Sequence, residues 1–218
     1  MSGLSNEHLQ RQLVELQLDL ECNRVERGEI LVPFPCANPD LPPRVLVAEI
    51  GTHYHVYLRR DVPASVQSLL RALSPEVCFT KPEVVRTILA KSAPCATVWR
   101  NRASVIPKRE IPPADSEVVR LPTPNEQGFP IFAILADGAM ISGCSSSREN
   151  TRCGEAWVWT DERFRGRGYA SRVVTAWAED LHQQGKIPFY SHLIENTASE
   201  HVARKLGLVP FASEIGYV

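Results

Sequence analysis

The chain has 218 residues, of which 44% are hydrophobic and 22% are charged. This composition is ordinary for a globular protein, and the length is sufficient to bury a sizeable core. The formal net charge of −1 excludes a general electrostatic attraction for nucleic acid or anionic membranes. Any affinity for phosphate must therefore come from a local patch.

The sequence shows neither a long uncharged apolar run nor the charged start and apolar block of a signal peptide. We therefore expect a cytoplasmic protein that has no contact with membranes. The six cysteines are scattered and form no close pairs, which favours reduced, mostly buried thiols over a zinc site or a disulfide framework. We expect no bound metal.

The N-terminal half begins with leucines at helical spacing, from Leu9 to Leu20, which predict an amphipathic helix with this stripe as its apolar face. Capping signals predict two further helices, one starting at Asp61 and one at Thr80. In chain order, the predicted elements are a helix ending by residue 28, an extended linker over 33–43, two strands within 44–60, the two capped helices and a strand over 95–106.

In the C-terminal half, Asp137-Gly138 separates two apolar runs and is a strong signal for a two-residue hairpin turn. A capping box at Thr197 and Glu200 predicts the start of a later helix. In chain order, the predicted elements are strands over 118–121, 129–136, 139–145 and 155–160, a loop over 161–168, a helix from 169, a strand over 187–194, a helix from 197 and a strand over 209–217.

This order of elements predicts an α/β fold. Meander strands followed by a strand-helix-strand crossover are typical of a mixed central sheet flanked by helices. A proline-rich loop at 107–113 predicts the boundary between an N-terminal α/β extension, residues 1–115, and a second domain, residues 116–218. An open sheet edge is a liability, so we expect a strand from the N-terminal half or from a second subunit to fill the last edge of this sheet.

The segment from Arg163 to Ala170 reads Arg-Phe-Arg-Gly-Arg-Gly-Tyr-Ala and lies between a predicted strand and a predicted helix. Glycine tolerates positive φ angles, so the backbone N–H groups of such a loop can turn toward one point. The following helix adds unpaired N–H groups and the positive end of its dipole. Charge is added by four arginines: Arg163, Arg165, Arg167 and Arg172. The pattern favours a bound phosphate, and the alternative is a solvated basic turn.

The loop is not a P-loop, since no Gly-Lys-Ser/Thr follows, and a dinucleotide fingerprint would need a glycine at Ser171. The spacing Arg-x-x-Gly-x-Gly resembles the pyrophosphate loop of the GNAT superfamily of acetyltransferases. Asn196-x-x-Ser199, followed by Lys-Leu-Gly-Leu at 205–208, resembles the helix and turn that come later in that family. The resemblance covers residues 118–217.

The resemblance implies a GNAT-type sheet and an acetyl-CoA-dependent N-acetyltransferase that acts on a primary amine by direct attack. In such enzymes the strand before the loop bonds the pantetheine arm, the loop amides bind the pyrophosphate, and a later helix contacts the arm. The residues at these positions are Val158, Trp159 and Thr160 in the strand, Arg163, Arg165, Gly166, Arg167, Gly168, Tyr169 and Ala170 in the loop, and Asn196 and Ser199 on the later helix.

Attack of an amine on a thioester needs a base, because the nucleophilic nitrogen must lose a proton. Glu155 opens the strand that leads to the loop, where GNAT enzymes often carry the base, and is the first candidate; the alternative is an exposed surface charge. His192 is the second candidate, and Glu195 lies at the end of the same strand. Trp157 and Trp159 share a strand face and are expected to pack beside the cofactor arm or in the core.

One departure from the family pattern concerns the leaving group. Many GNAT enzymes carry a tyrosine in the final helix that protonates the thiolate, and this chain has Ala203 there. Tyr190, Ser199 and Tyr217 are alternative donors, between which spacing does not decide. The absence of this tyrosine also leaves open a second function, that of a non-catalytic acyl-CoA-binding sensor or regulatory module. A third is an anion- or nucleotide-binding domain unrelated to CoA.

The partners implied by this interpretation are a small-molecule or peptide amine as acceptor and, through the open sheet edge, a second copy of the chain as a homodimer. The overall charge and the absence of an aromatic-basic pattern argue against nucleic acid as a partner. The amine itself is not specified by any pattern in the sequence, because the substrate is set by the site and not by the fold.

Overall fold

The computed structural model describes residues 3–22, 25–26, 29–30, 43–108 and 117–218. The chain divides into two compact units, one over residues 1–103 and 211–218, the other over residues 104–210. The predicted linker at 33–43 lies almost wholly outside the described residues, and the predicted boundary at 115 lies outside them. The prediction that 116–218 forms one domain differs from this division, because the end of the chain belongs to the first unit.

The first unit contains a mixed sheet and short helices. Its strands follow the order β1-β2-β4-β3-β11-β5, with β2 parallel to β4 and with β3 antiparallel to both β4 and β11. The elements are α1 (Gly3–Cys22), β1 (Val25–Glu26), β2 (Glu29–Ile30), β3 (Val45–Ile50), β4 (His53–Arg59), α2 (Ala64–Arg71), α3 (Pro75–Thr80), α4 (Pro82–Leu89), β5 (Val98–Val105) and β11 (Val209–Tyr217).

The last strand explains the division of the chain. Strand β11 pairs with β3 from Ser213↔Glu49 to Tyr217↔Val45. The Tyr217 hydroxyl donates a hydrogen bond to the Cys78 carbonyl at 2.6 Å inside the apolar core of this unit. A strand of the N-terminal half therefore fills the edge beside the last strand.

The N-terminal helix is present, but the leucine stripe is not its buried face. Val14, Gln17 and Leu18 are buried, whereas Leu9 is exposed. The prediction failed because apolar residues occur on more than one side of α1, and Val14 and Leu18, four residues apart, form a second stripe.

Two predicted helix caps are wrong. Asp61 accepts a hydrogen bond from the Arg59 side chain at 2.6 Å, and Pro63 stands at the N-cap of α2. Thr80 is the last residue of α3, where its hydroxyl donates to a carbonyl of the preceding turn, and α4 begins at Pro82. Proline fixes φ near the helical value and lacks an N–H group, so it favours helix starts that need no capping side chain.

The second unit also contains a mixed sheet, in the order β10-β9-β8-β7-β6. All neighbours are antiparallel except β9 and β10, which are parallel. The elements are β6 (Val119–Arg120), β7 (Phe132–Ala136), β8 (Ala139–Glu149), β9 (Cys153–Thr160), a 3₁₀ turn (Glu162–Phe164), α5 (Tyr169–Gln183), β10 (Ile187–Leu193) and α6 (Thr197–Lys205). The predicted α/β class with mixed sheets and flanking helices is confirmed.

The predicted hairpin is confirmed in its backbone angles. Asp137 and Gly138, between β7 and β8, have φ values of 51° and 77°. Two successive positive φ angles are typical of a type I′ turn, whose twist matches that of the paired strands.

The core of the second unit lies between the sheet and α5. Val173, Val174, Trp177 and Leu181 of α5 are buried against strand residues that include Cys144. Helix α6 packs against the same cluster through the partly buried Val202, Ala203 and Leu206. This face of α6 is therefore turned toward the core.

The sequence led us to expect no membrane contact, no bound metal and no disulfide framework. Within the described residues, no helix is long and apolar enough to cross a membrane. The same part of the chain has no group of three or more His, Cys, Asp or Glu side chains suited to a metal ion. The side chains of Cys78, Cys95, Cys144 and Cys153 are buried thiols. Those of Cys22 and Cys36 lie outside the described side chains.

Candidate active site

The parallel strands β9 and β10 separate part of the way along their length. They pair from Ile187↔Cys153 to Phe189↔Glu155, and no later pair between them occurs in the described part of the chain. Beyond this point β9 continues to Thr160 and β10 to Leu193. The two strands form a fork, hereafter the β9–β10 fork, which opens toward the glycine loop.

The loop after β9 is built by local hydrogen bonds and by two left-handed glycines. Asp161 caps the 3₁₀ turn by accepting a hydrogen bond from the Arg163 amide at 3.0 Å. Gly166 and Gly168 then have φ values of 77° and 81°, which favour glycine strongly. Helix α5 begins directly after Gly168 and receives no side-chain cap from any described residue. Its first N–H groups therefore face the loop, the arrangement that suits an anion.

Most of the predicted positive charge at the loop is already compensated. Arg163 makes a two-point contact with Asp161, with the shorter distance 2.9 Å, and this hydrogen bond lowers the pKa of Asp161. Arg165 lies 3.5 Å from Glu162. The guanidinium of Arg167 instead lies over the Phe164 ring, 5.2 Å from its centroid.

A fourth arginine, Arg172, is paired with Glu117 at 2.8 Å. The four arginines therefore do not act as a pool of unpaired charge, because three of them contact carboxylates. The prediction treated the loop in isolation, and the Glu117 contact comes from a residue far away in the sequence.

Lys205, at the end of α6, reaches the loop. Its ammonium nitrogen lies 2.6 Å from the position that a Cβ atom would occupy on Gly168. Lys205 belongs to the Lys-Leu-Gly-Leu turn at 205–208, and no role at the site was predicted for it. Its neighbourhood depends on how α6 packs beside α5, which spacing does not reveal.

Asn196 and Ser199 lie together at the start of α6. The Asn196 side-chain oxygen accepts a hydrogen bond from the Ser199 amide at 3.0 Å, which makes Asn196 the N-cap. The predicted cap at Thr197 is therefore wrong by one residue. Asn196 has a structural role of its own, and its predicted contact with the cofactor arm stays a prediction.

An open cavity of about 430 Å³ lies beside the loop. Two aromatic rings from the loop region line it, together with side chains from β6, β7 and β8. The lining residues are Glu117, Val119, Ile134, Leu135, Ala136, Ile141, Phe164 and Tyr169. Tyr169 thus contributes a ring to this cavity, while its backbone opens α5.

Glu155 lies at the base of the β9–β10 fork and is only 5% exposed. Its carboxylate accepts a hydrogen bond from the Arg148 guanidinium at 2.8 Å. The alternative of an exposed surface charge is therefore wrong. Burial was not visible in the sequence, because it depends on the ladder between β8 and β9 that brings Arg148 opposite Glu155.

The two tryptophans of β9 lie on the same sheet face as Glu155, since side chains alternate along a strand. Trp157 is 52% exposed and Trp159 is 37% exposed, so neither belongs to the core. Two exposed indoles side by side on one sheet face form an apolar patch, the kind of surface that suits a partner or a ligand. The expectation that they pack in the core is wrong.

His192 lies on the opposite face. Phe189 is the register partner of Glu155, and His192 follows at an odd interval, so its side chain projects to the side of α5 and α6. The ring is 6% exposed, and its Nδ1 lies 3.0 Å from the Leu193 carbonyl. A carbonyl only accepts, so Nδ1 carries the proton of the neutral ring and Nε2 is an acceptor. No described group bonds Nε2.

The two base candidates are thus on different sides of the sheet and do not face the same reacting proton. Glu195, the remaining carboxylate considered, is exposed after the end of β10. At the fork, one sheet face carries the buried Glu155 carboxylate beside the two exposed indoles of β9. The other face carries Tyr190 and His192 of β10, beside α6.

Comparison with known proteins finds a family model that matches part of the chain. Residues 126–212 match the family model for GNAT acetyltransferase. Among solved structures, an acetyltransferase of the GNAT family from Colwellia psychrerythraea is 12% identical, with a TM-score of 0.49, and the alignment covers 100% of this chain and 97% of that one. No curated protein matches the sequence.

Two further structures have similar scores. A GCN5-related N-acetyltransferase-like protein from Streptococcus suis is 15% identical, with a TM-score of 0.47 and coverage of 81% and 84%. A GNAT-family acetyltransferase from Novosphingobium aromaticivorans is 16% identical, with a TM-score of 0.47 and coverage of 56% and 66%. The family model spans the fork, the glycine loop and both helices that flank them. The similarity to the GNAT acetyltransferase family therefore covers residues 126–212, which is less than half of the chain.

Proposed function

We propose that the protein is an N-acetyltransferase that moves the acetyl group of acetyl-CoA to a primary amine by direct attack. One observation carries the proposal: the β9–β10 fork leads without interruption into a loop with two left-handed glycines and an uncapped helix start. An acyl donor with a long arm and a pyrophosphate needs both parts, a slot between strands and an amide-lined turn.

The residues at the loop fit a phosphate-bearing ligand. A side chain at Gly168 would run into the Lys205 ammonium, so the backbone is bare where a phosphate would approach. The positive end of the α5 dipole and the Lys205 charge both favour an anion at this point. The amides from Arg165 to Ala170 would hold the pyrophosphate, with Val158, Trp159 and Thr160 along the arm.

The residues at the fork fit the acyl end. Glu155 is our first choice for the base that takes the proton of the attacking amine, directly or through water, and His192 is the second. The indoles of Trp157 and Trp159 lie on the Glu155 face and offer apolar and π surface to an acceptor. A small-molecule or peptide amine would enter from that face.

The same geometry also suits a module that binds acyl-CoA without turning it over, and Ala203 in place of the family's tyrosine favours that alternative. Thermal unfolding with acetyl-CoA, CoA and ADP tests ligand binding. A ligand at 100 times its Kd adds about 2.7 kcal/mol to the stability of the folded state. Release of CoA thiol with a panel of amines then separates enzyme from binder, and the absence of a CoA-specific shift would contradict both.

A further inference from the structure

The open cavity beside the glycine loop has no part in the proposed chemistry. Its volume of about 430 Å³ lies within the range of about 300–1,000 Å³ that is usual for small-molecule sites. Strands β6, β7 and β8 line it together with the rings of Phe164 and Tyr169, whereas Glu155, Lys205 and the residues of β9 do not. A ligand here would therefore lie beside the slot proposed for the acyl donor and not in it.

The lining of this cavity is mostly apolar. Ile134 and Ile141 are its buried part, whereas Val119 and Leu135 are 39% and 43% exposed. Aliphatic side chains exposed around a concave surface favour a ligand that removes them from water. The body of a fitting ligand is therefore a hydrocarbon chain.

Positive charge lies next to this apolar lining. The Arg167 guanidinium lies 5.2 Å from the centroid of the Phe164 ring, and the Arg172 guanidinium lies 5.7 Å from that of the Tyr169 ring. Arg172 pairs with the Glu117 carboxylate at 2.8 Å. Arg167 forms no ion pair with a carboxylate in the part of the chain that the structure describes, so its charge is available to an anion that lies against Phe164.

We propose that the cavity binds an apolar monocarboxylic acid, with its hydrocarbon chain against the aliphatic lining and its carboxylate at the Arg167 guanidinium. The planar fork of arginine suits this role, because it bonds both oxygens of a carboxylate. Arg167 would repel a cationic ligand, and a small polar ligand would leave the apolar lining in water. Glu117 does not oppose the acid, since Arg172 compensates its charge.

Three ligands test the two parts of this recognition. Isothermal titration of the unliganded protein with hexanoate should show one saturable site. Hexanamide has the same chain without the charge, and acetate has the charge without the chain. Hexanamide should bind about fivefold more weakly than hexanoate, and acetate at least about tenfold more weakly. Hexanoate that binds no more tightly than either of them would overturn the proposal.

Three variants then locate the site. Val119→Glu adds a like charge to the lining and should weaken hexanoate binding at least about tenfold, and Arg167→Met should weaken it about fivefold. Arg165→Met is the matched control in the same loop, because Arg165 lies 3.5 Å from Glu162, and its affinity for hexanoate should equal that of the wild type. All three side chains are exposed, so the thermal midpoints of the unliganded variants should stay within roughly 2 °C. Equal hexanoate affinities in wild type, Val119→Glu and Arg167→Met would contradict the assignment.

Competition separates the acid from the acyl donor. Phe164 and Tyr169 belong to both the cavity and the glycine loop, so the adenosine end of CoA is the other candidate occupant. Hexanoate affinity should change less than about twofold in saturating CoA or ADP. Displacement of hexanoate by either nucleotide assigns the cavity to the donor and refutes the acid site. A protein that binds hexanoate at this site but no CoA contradicts only the proposed function.

Discussion

Lys205 and Gly168 approach so closely that no side chain fits between the glycine loop and the ammonium group, since a Cβ atom would lie 2.6 Å from Nζ. Gly168 also has a φ of 81°, which costs other residues about 1–2 kcal/mol. The loop therefore depends on this glycine for two independent reasons, one conformational and one steric.

Gly168→Ala should weaken CoA binding by at least about tenfold, because the methyl group displaces Lys205 and strains the loop. Isothermal titration with CoA measures the effect. Gly185→Ala is the matched control at the other end of α5, since Gly185 has a φ of 73° and no described atom lies within 4 Å of its Cβ position. Both variants should lose stability through strain, and only Gly168→Ala should lose affinity. Equal affinities would contradict the assignment of the loop.

Glu155→Gln should lower kcat roughly 10²-fold with little change in affinity for acetyl-CoA, because the amide keeps an oxygen for Arg148 but takes no proton. Thiol release and a binding titration measure the two quantities. Glu149→Gln changes a partly buried carboxylate that also has a cationic partner, Lys186, and should lower stability without lowering kcat. If turnover and the pH–rate profile of Glu155→Gln match those of the parent, Glu155 is not the base.

His182 should make the stability of the protein depend on pH. Burial lowers its pKa; the contact of its Nε2 with the Ile106 carbonyl opposes this effect and Lys108 adds to it. A folded-state pKa below the unfolded value of 6.5 means that the unfolded chain binds more protons. This contribution to stability is present above pH 6.5 and is lost as the pH falls through the folded pKa.

His182→Gln removes this titration. Urea unfolding at several pH values between 5 and 8 should give a flatter dependence of the midpoint in the variant than in the wild type. Parallel curves would show that His182 contributes nothing to the acid sensitivity of the protein.

Lys186→Met should destabilise the protein by roughly 2–4 kcal/mol, because it leaves the partly buried Glu149 carboxylate without its cation. Lys186 lies 2.6 Å from Glu149, which also accepts a hydrogen bond from Ser146, and the Trp177 indole donates to Ser146 at 3.0 Å. Urea unfolding measures the loss. The double variant Lys186→Met/Glu149→Leu should recover part of it, and a double variant less stable than Lys186→Met would contradict this account.

Features that are set by a few residues adjacent in the sequence were predicted well. The turn at Asp137-Gly138 and the positive φ angles at Gly166 and Gly168 follow from the conformational freedom of a few residues. The helix caps were predicted less well. Asn196 and Thr197 are both good capping residues, and only the path of the preceding chain decides between them.

Features that depend on residues distant in sequence were missed. The pairing of Arg172 with Glu117, the burial of Glu155 against Arg148 and the position of Lys205 beside Gly168 all arise from packing between separate elements. The alternation of Trp157 and Trp159 showed that they share a face but not which face is covered. Which side of a strand is buried is decided by its neighbours, and these tryptophans remain exposed.

The pairing of β11 with β3 also has a consequence for how the chain is made. Residues 211–218 belong to the unit whose other elements lie within residues 1–103, so β3 emerges from the ribosome long before its partner does. A nascent chain must keep the edge of β3 from pairing elsewhere while the entire second unit is synthesised. A product of premature termination would lack a strand of the first unit, and cellular proteases would meet an open sheet edge there.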